Sequence, residues 1–258
     1  VSEKVWPVFR FLILFGLSFV VVYPILYMIS CAVRPQIEMA DPSIMWIPKT
    51  FTLSNLEETW LAIDYPKLVW DTITVNVVCS IIQVMTCSIA GYGFARFKFK
   101  GKGLFFAIVI LQIIVPTQVI LIPQFMQFRY FDPFYLCTLI TGGPINLADQ
   151  PIALYMQAFF CNGIRAGLFI FLFRQFFRGL PKEIEEAAFV DGCGVWKTYF
   201  KIMLRNASPA IITVTVFSIV WQFNDTFYAK LFLISENVVI SKKIASLQAN
   251  IANLDKVL

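Results

Sequence analysis

Histidine does not occur in this 258-residue sequence. Its absence excludes Ser-His-Asp and Cys-His catalysis, histidine-ligated metals and histidine pH switches. Charge is scarce as well: 14% of the residues are charged, where a water-soluble domain carries roughly 25%. With 59% hydrophobic residues and a mean hydropathy of +0.73, the chain cannot cover itself with polar surface. Its solvent is therefore lipid, and a disordered chain or a nucleic-acid binder is excluded. The six cysteines (Cys31, Cys79, Cys87, Cys137, Cys161, Cys193) form no C-x-x-C pair, and several sit in apolar runs as small hydrophobes. Neither disulfides nor metal ligands are expected of them. No G-x-x-x-x-G-K-[ST] occurs, and Gly101-Lys102-Gly103 lacks both the spacing and the hydroxyl. The chain has no phosphate-binding loop of its own, so no ATP hydrolysis and no catalytic residue is expected in it. The apolar runs contain no paired carboxylates, no serine–lysine dyad and no metal motif, which argues against an intramembrane enzyme. Gly142-Gly143-Pro144 is too slight for a channel filter.

What the sequence has in quantity is long apolar runs. Five are long enough to cross a bilayer, which takes about 20 residues. They cover 11–33, 72–95, 104–128, 152–173 and 207–232, the fourth interrupted by Arg165. Small residues such as Gly91 and Gly93 in the second run, and Gly163 and Gly167 in the fourth, suit close helix packing. The first run is too long for the roughly 7–15-residue core of a cleaved signal peptide. The expected fold is an all-α polytopic membrane protein, one transmembrane domain over 1–258.

Orientation follows from lysine and arginine in short loops. Arg96, Lys98, Lys100 and Lys102 lie between the second and third runs. Arg174, Arg178, Lys182, Lys197, Lys201 and Arg205 lie between the fourth and fifth, and Lys4 and Arg10 precede the first. These regions are expected in the cytoplasm, with the N-terminus inside. The opposite loop over 34–70, which holds Trp46 and Trp60, has three cations against five acids. It is expected to pack on the outer face. Five spans would leave the C-terminus outside.

The loop over 174–205 is the most informative piece. Pro181 suits the first turn of a helix, and Glu183, Glu185 and Glu186 follow near the positive end of its macrodipole. Gly192 is placed to cap its C-terminus. A second helical stretch, 195–204, spaces Trp196, Phe200 and Met203 for one face. Ala187 and Ala188 are small enough to let the first helix sit deep in a groove of another protein. An amphipathic helix lying on the membrane surface fits the same pattern.

The residues themselves tip that balance. Glu186-Ala187-Ala188, Gly192 four positions on, and Ile202-Met203-Leu204 resemble the EAA loop of ATP-binding-cassette importer permeases. Pro181-Lys182-Glu183, Asp191-Gly192, the run from Phe171 to Arg178, Trp221-Gln222-Phe223-Asn224-Asp225 and Ala90-Gly91-Tyr92-Gly93-Phe94-Ala95-Arg96 are similar to the carbohydrate-uptake branch, in particular its smaller maltose-type subunit. The resemblance implies the transmembrane domain of a type I importer in a bacterial plasma membrane. Its partners would be a second permease in a heterodimer, two ATPase subunits that bind ATP and magnesium, an extracellular solute-binding protein and a carbohydrate, an oligosaccharide above all. A non-sugar solute on the same fold is the alternative. The loop would dock on the ATPase through Glu183, Glu186, Ala187, Ala188, Asp191 and Gly192, with Glu186 the principal contact. Three features depart from the family pattern. Arg205 stands where the family usually has proline, and Phe189 where it is often polar. Five runs are present where members have six, so a sixth span is expected in the complete protein.

Candidates for a solute pathway are Gln112, Arg165, Trp221, Asn224 and Asp225. A charge at bilayer centre costs at least about 2.5–3.5 kcal/mol, so Arg165 should face protein or a watery cavity. Alternatively the fourth helix starts near Arg165 and the side chain snorkels to the outer interface. Trp221 beside Asn224 and Asp225 suits sugar stacking and hydroxyl recognition, or an interfacial belt. Gln112 beside Pro116 either bridges helices or lines the pathway.

Overall fold

A computed structural model describes residues 2–39, 41, 47–148, 150–233 and 239–244. Trp46 lies outside the described residues. Among them no strand forms; a single isolated bridge pairs Phe131 with Ile145. The chain falls into two compact units, 1–67 and 68–258.

The first unit is led by helix α1 (Ser2–Ala32), which presents exposed apolar side chains along most of its length, such as Phe11, Phe15 and Val21. Two short helices follow, α2 (Gln36–Met39) and α3 (Ser54–Ala62). Between them the Glu38 carboxylate accepts from Lys49 N at 2.9 Å, Thr50 N at 3.1 Å and Thr50 Oγ1 at 2.6 Å. The Thr50 hydroxyl, then the two amides, hold its carboxyl below the usual glutamate value. Asn55 Nδ2 donates to the Arg34 carbonyl at 2.7 Å and closes the loop.

The second unit is entered by α4 (Tyr65–Arg96). Its helices are α5 (Lys102–Ile114), α6 (Thr117–Arg129), α7 (Leu136–Thr141), α8 (Pro151–Phe159), α9 (Ala166–Gly179), α10 (Glu183–Val190), α11 (Val195–Thr198), α12 (Leu204–Asn206), α13 (Ser208–Asn224) and α14 (Phe227–Phe232). A π-helical turn, Tyr199–Met203, joins α11 to α12. By length and composition α1 and α4 suffice to cross a membrane singly among the described residues. Two bent pairs qualify only when joined.

Three of the five apolar runs are broken. The run 104–128 is two helices meeting at 107°. Pro116 stands at the break with no amide hydrogen to continue the ladder. The run 152–173 stops at Phe159 and resumes at Ala166, with Cys161 and Arg165 at positive φ between them. Helix α9 then continues to Gly179, so Arg174 and Arg178 belong to a helix and not to the loop. The run 207–232 breaks at Asp225 and Thr226.

The core lies where α4, α5, α9 and α13 meet, around Tyr92, Phe169, Phe173, Phe177, Tyr199 and Met203. Close approach is set by two glycines. A Cβ on Gly91 would lie 2.5 Å from Phe173 Cβ, and one on Gly167 would lie 2.8 Å from the Val109 carbonyl oxygen. Gly93 meets nothing nearer than 3.9 Å.

Candidate functional site

Helix α10 forms as its sequence asks, with one correction. It opens at Glu183 with Lys182 at the N-cap, so Pro181 stands two residues before the helix and not in its first turn. Glu183, Glu185 and Glu186 fill the first turn, at the positive end of the dipole. Gly192, at φ +75°, ends it. Its amide donates to the Phe189 carbonyl at 3.0 Å, and Cys193 N donates to the Ala188 carbonyl at 2.9 Å. That pair of bonds is a Schellman cap.

The two faces of α10 differ. Glu183, Glu186, Ala187 and Val190 are exposed, whereas Glu185 and Ala188 are buried within the chain. Ala188 therefore serves this chain's own interior, and Ala187 is the small residue that faces out. Asp191 is exposed beside the cap. The expected shared face of Trp196, Phe200 and Met203 does not form. Trp196 and Phe200 are exposed and Met203 is fully buried. The π turn adds a residue to that cycle and rotates Met203 inward.

Glu185, absent from the expected contacts, anchors the helix. Tyr92 Oη donates to one carboxylate oxygen, and Arg96 Nε lies 3.3 Å from the other. A guanidinium nitrogen of Arg96 also donates to the Leu180 carbonyl at 2.9 Å. Tyr92 in turn packs on Phe177 and Tyr199 at 5.4 and 5.1 Å between ring centroids. Ser88 Oγ and Tyr199 Oη share a 2.6 Å hydrogen bond. The end of α4, the end of α9, the π turn and α10 are thus locked together. The signal lay in the sequence: Tyr92 and Arg96 are four apart and so share a face of α4, and an uneven run of three glutamates left one facing them.

The expected pathway residues are partly gathered. Arg165 stands at the start of α9, with its guanidinium carbon 5.7 Å from the Trp221 ring centroid. It also borders, with Gln112, a cavity of about 30 Å³. Trp221 stacks with Phe169 at 5.6 Å and Phe217 at 5.3 Å, so its ring is engaged by the chain's own aromatics. Asn224 is exposed and donates to the Val220 carbonyl of its own helix at 2.7 Å. The Asp225 carboxylate accepts from Ala229 N at 3.0 Å, which caps α14. It borders a separate cavity of about 10 Å³. Both cavities are far below the roughly 300–1,000 Å³ of ligand pockets.

Sequence reasoning missed the polar stripe of α4. Thr72, Asn76, Ser80 and Gln83 are all buried, and their spacing of four, four and three places them on one face. Gln83 Nε2 donates to the Ile164 carbonyl at 2.6 Å, and its Oε1 accepts from Ser218 at 3.1 Å and Gln222 at 3.3 Å. Thr86 Oγ1 donates to the Ala158 carbonyl at 3.0 Å. These bonds satisfy carbonyls on both sides of the break between α8 and α9.

Known proteins resemble this chain in fold and sequence. The fold is similar to that in the crystal structure of a bacterial ABC transporter involved in the import of the acidic polysaccharide alginate. The TM-score is 0.67 and the identity 20%, over 93% of this chain and 79% of that one. The arabinooligosaccharides transport system permease protein AraQ of Halalkalibacterium halodurans is 28% identical over 229 residues, 83% of this chain and 72% of AraQ. The alpha-glucoside transport system permease protein AglG of Rhizobium meliloti is 30% identical over 186 residues, 72% of this chain and 46% of AglG. Residues 84–251 match the family described as binding-protein-dependent transport system inner membrane component. They include α4 from Val84 onward, the break between α8 and α9, the lock and α10, and by that match the chain belongs to this family of ABC importer permeases.

Proposed function

We propose that this chain is one of two permease subunits of an importer that moves a carbohydrate, an oligosaccharide by preference, into the cell. ATP and magnesium are bound by two separate ATPase subunits, and an extracellular solute-binding protein delivers the sugar. The N-terminus and α10 lie in the cytoplasm. One observation carries the coupling role: α10 is pinned from below by Glu185 while Glu183, Glu186 and Ala187 face outward. A helix held that way transmits a push to α4 instead of bending its own loop. Ala187 lets an ATPase surface approach closely, and Glu186 takes charge-assisted hydrogen bonds from it. As the ATPase pair closes, α10 moves with it and the spans alternate between inward-open and outward-open forms. The carbohydrate reading draws on AraQ and AglG, whose names state sugar substrates. The small cavities bordered by Arg165, Gln112 and Asp225 suit ordered water, and the sugar is held mainly by groups outside them.

The test is purification of the full-length protein from its native membrane in mild detergent beside a Glu186→Lys variant. An ATPase and a second permease accompany the wild type, and the variant loses the ATPase while keeping the permease. If the variant retains the ATPase at wild-type levels, Glu186 is not the docking contact. Stimulation of ATP hydrolysis by a panel of oligosaccharides, with non-sugar solutes as controls, then identifies the solute.

A further inference from the structure

Beside α10 lies a recess of about 690 Å³ between the 94–102 turn, the end of α9 and the start of α10. Its charges do not cancel. Arg96 is matched by Glu185. Lys98, Lys102, Arg174, Arg178 and Lys182 remain, facing only Glu186. Among the described residues none of these five has a carboxylate within ion-pair distance. Arg174 is the deepest of them. Its guanidinium carbon sits 3.8 Å from the Phe106 ring centroid, and its buried Nε has no hydrogen-bond partner. Gathering five cations around one half-sheltered space is unfavourable unless an anion shares it. The wall is also greasy, with the rings of Phe94, Phe97 and Phe189. The recess lies at one end of three helices, α4, α5 and α9, the first of which is long enough to cross a membrane.

We propose that this recess binds the phosphate of an anionic phospholipid, with Arg174 and Arg178 on the phosphodiester, Lys98 and Lys182 at the rim, and the rings against the glycerol and upper acyl chain. Basic pockets at helix ends on a membrane face take such headgroups. A free phosphate would satisfy the cations but would leave the rings and most of the volume unused.

The test uses the complete assembly, purified with its partner subunits, stripped of lipid, and examined by native mass spectrometry. Phosphatidylglycerol, phosphatidylethanolamine with the same acyl chains, and soluble glycerol 3-phosphate are added in turn. Phosphatidylglycerol is retained at least tenfold over phosphatidylethanolamine. Each cation near an anionic headgroup is worth about fivefold in affinity, so Arg174→Gln with Arg178→Gln lowers retention about thirtyfold. Should that pair fail to assemble, Lys98→Gln with Lys182→Gln, both exposed positions, carries the test with the same expected direction. Equal retention of the two lipids, or unchanged retention in the variant that assembles, overturns the proposal. So does displacement of the lipid by glycerol 3-phosphate at matched concentration, which would mark a soluble-phosphate site. Loss of the ATPase with lipid retention unchanged overturns it too, and marks the recess as a protein contact. Lipid retention is read separately from ATPase retention, so the coupling role can fail while this site stands, and the reverse.

Discussion

Helix α4 is pinned at two places, and the pins are chemically opposite. At its end, Tyr92 and Arg96 hold Glu185 through a carboxylate and a guanidinium. Two to three turns earlier, Gln83 and Thr86 hold the break between α8 and α9 through neutral donors to the Ile164 and Ala158 carbonyls. A charge deep in hydrocarbon costs at least about 2.5–3.5 kcal/mol, so an amide and a hydroxyl suit the middle of a long apolar helix. At the helix end water and counter-charges are near, and an ion pair becomes affordable. The ionic pin joins separate elements at the point where a partner would push. The neutral pin repairs a backbone fault within the chain. The surrounding space differs in the same sense: about 690 Å³ beside the ionic pin against about 30 Å³ beside the neutral one.

The difference is broken first at Glu185. Glu185→Ala leaves the Arg96 guanidinium buried without its carboxylate, and breaking such a pair costs about 3–5 kcal/mol. A large fall in Tm in detergent is expected, with ATP hydrolysis no longer responsive to solute in the assembled complex. Glu185→Gln, which still accepts from Tyr92, is expected to lie between. A Glu185→Ala protein with wild-type Tm and wild-type coupling would show that the ionic pin bears no load. Gly91 tests the contact on which that pin depends. Gly91→Ala sets a methyl 2.5 Å from Phe173 Cβ, and overpacking of this kind costs about 1–3 kcal/mol. Gly93→Ala, whose nearest neighbour is 3.9 Å away, is expected to be close to neutral in the same melt.

The two pins were not equally legible in the sequence. The apolar runs, the glutamate-rich start of α10 and the cap at Gly192 are local features, and local chemistry fixes them. The breaks at Pro116 and between Phe159 and Ala166 were harder to read, because apolar composition continues across them; at the second, the partners Gln83 and Thr86 make a broken helix tolerable in lipid. Which glutamate turns inward depends on Tyr92 and Arg96, 93 and 89 positions away in the chain. The π turn was invisible for the same reason: one added residue changes no composition and turns Met203 from the exposed face to the core. Among the pathway residues, the chain alone shows capping by Asp225 and stacking by Trp221, which sequence adjacency had grouped as one set, sugar-facing or interfacial.

The neutral pin is probed by Gln83→Leu, close in size but without the amide. The Ile164 carbonyl and the Ser218 hydroxyl then lose their partner inside the chain, at about 1–3 kcal/mol. Hydrogen exchange should rise over 160–170 while α10 keeps its wild-type protection. A uniform rise over both regions would mean that the two pins are one cooperative unit.

The smallest effect is expected at Glu38, a partly exposed carboxylate whose pin is made of backbone amides and a hydroxyl. Its carboxyl is held below the ordinary glutamate value of about 4.3, so the clip is complete above that value and is lost as pH falls through the lower folded one. Hydrogen exchange at Lys49 and Thr50, corrected for the intrinsic rate, should be constant from pH 7 to about pH 5 and rise only as Glu38 protonates. Glu38→Gln should show the raised exchange at every pH, with Tm close to wild type. If instead the variant keeps wild-type protection at pH 7, the amides are held by the loop's shape, and the Asn55 bond to the Arg34 carbonyl is the anchor that closes it.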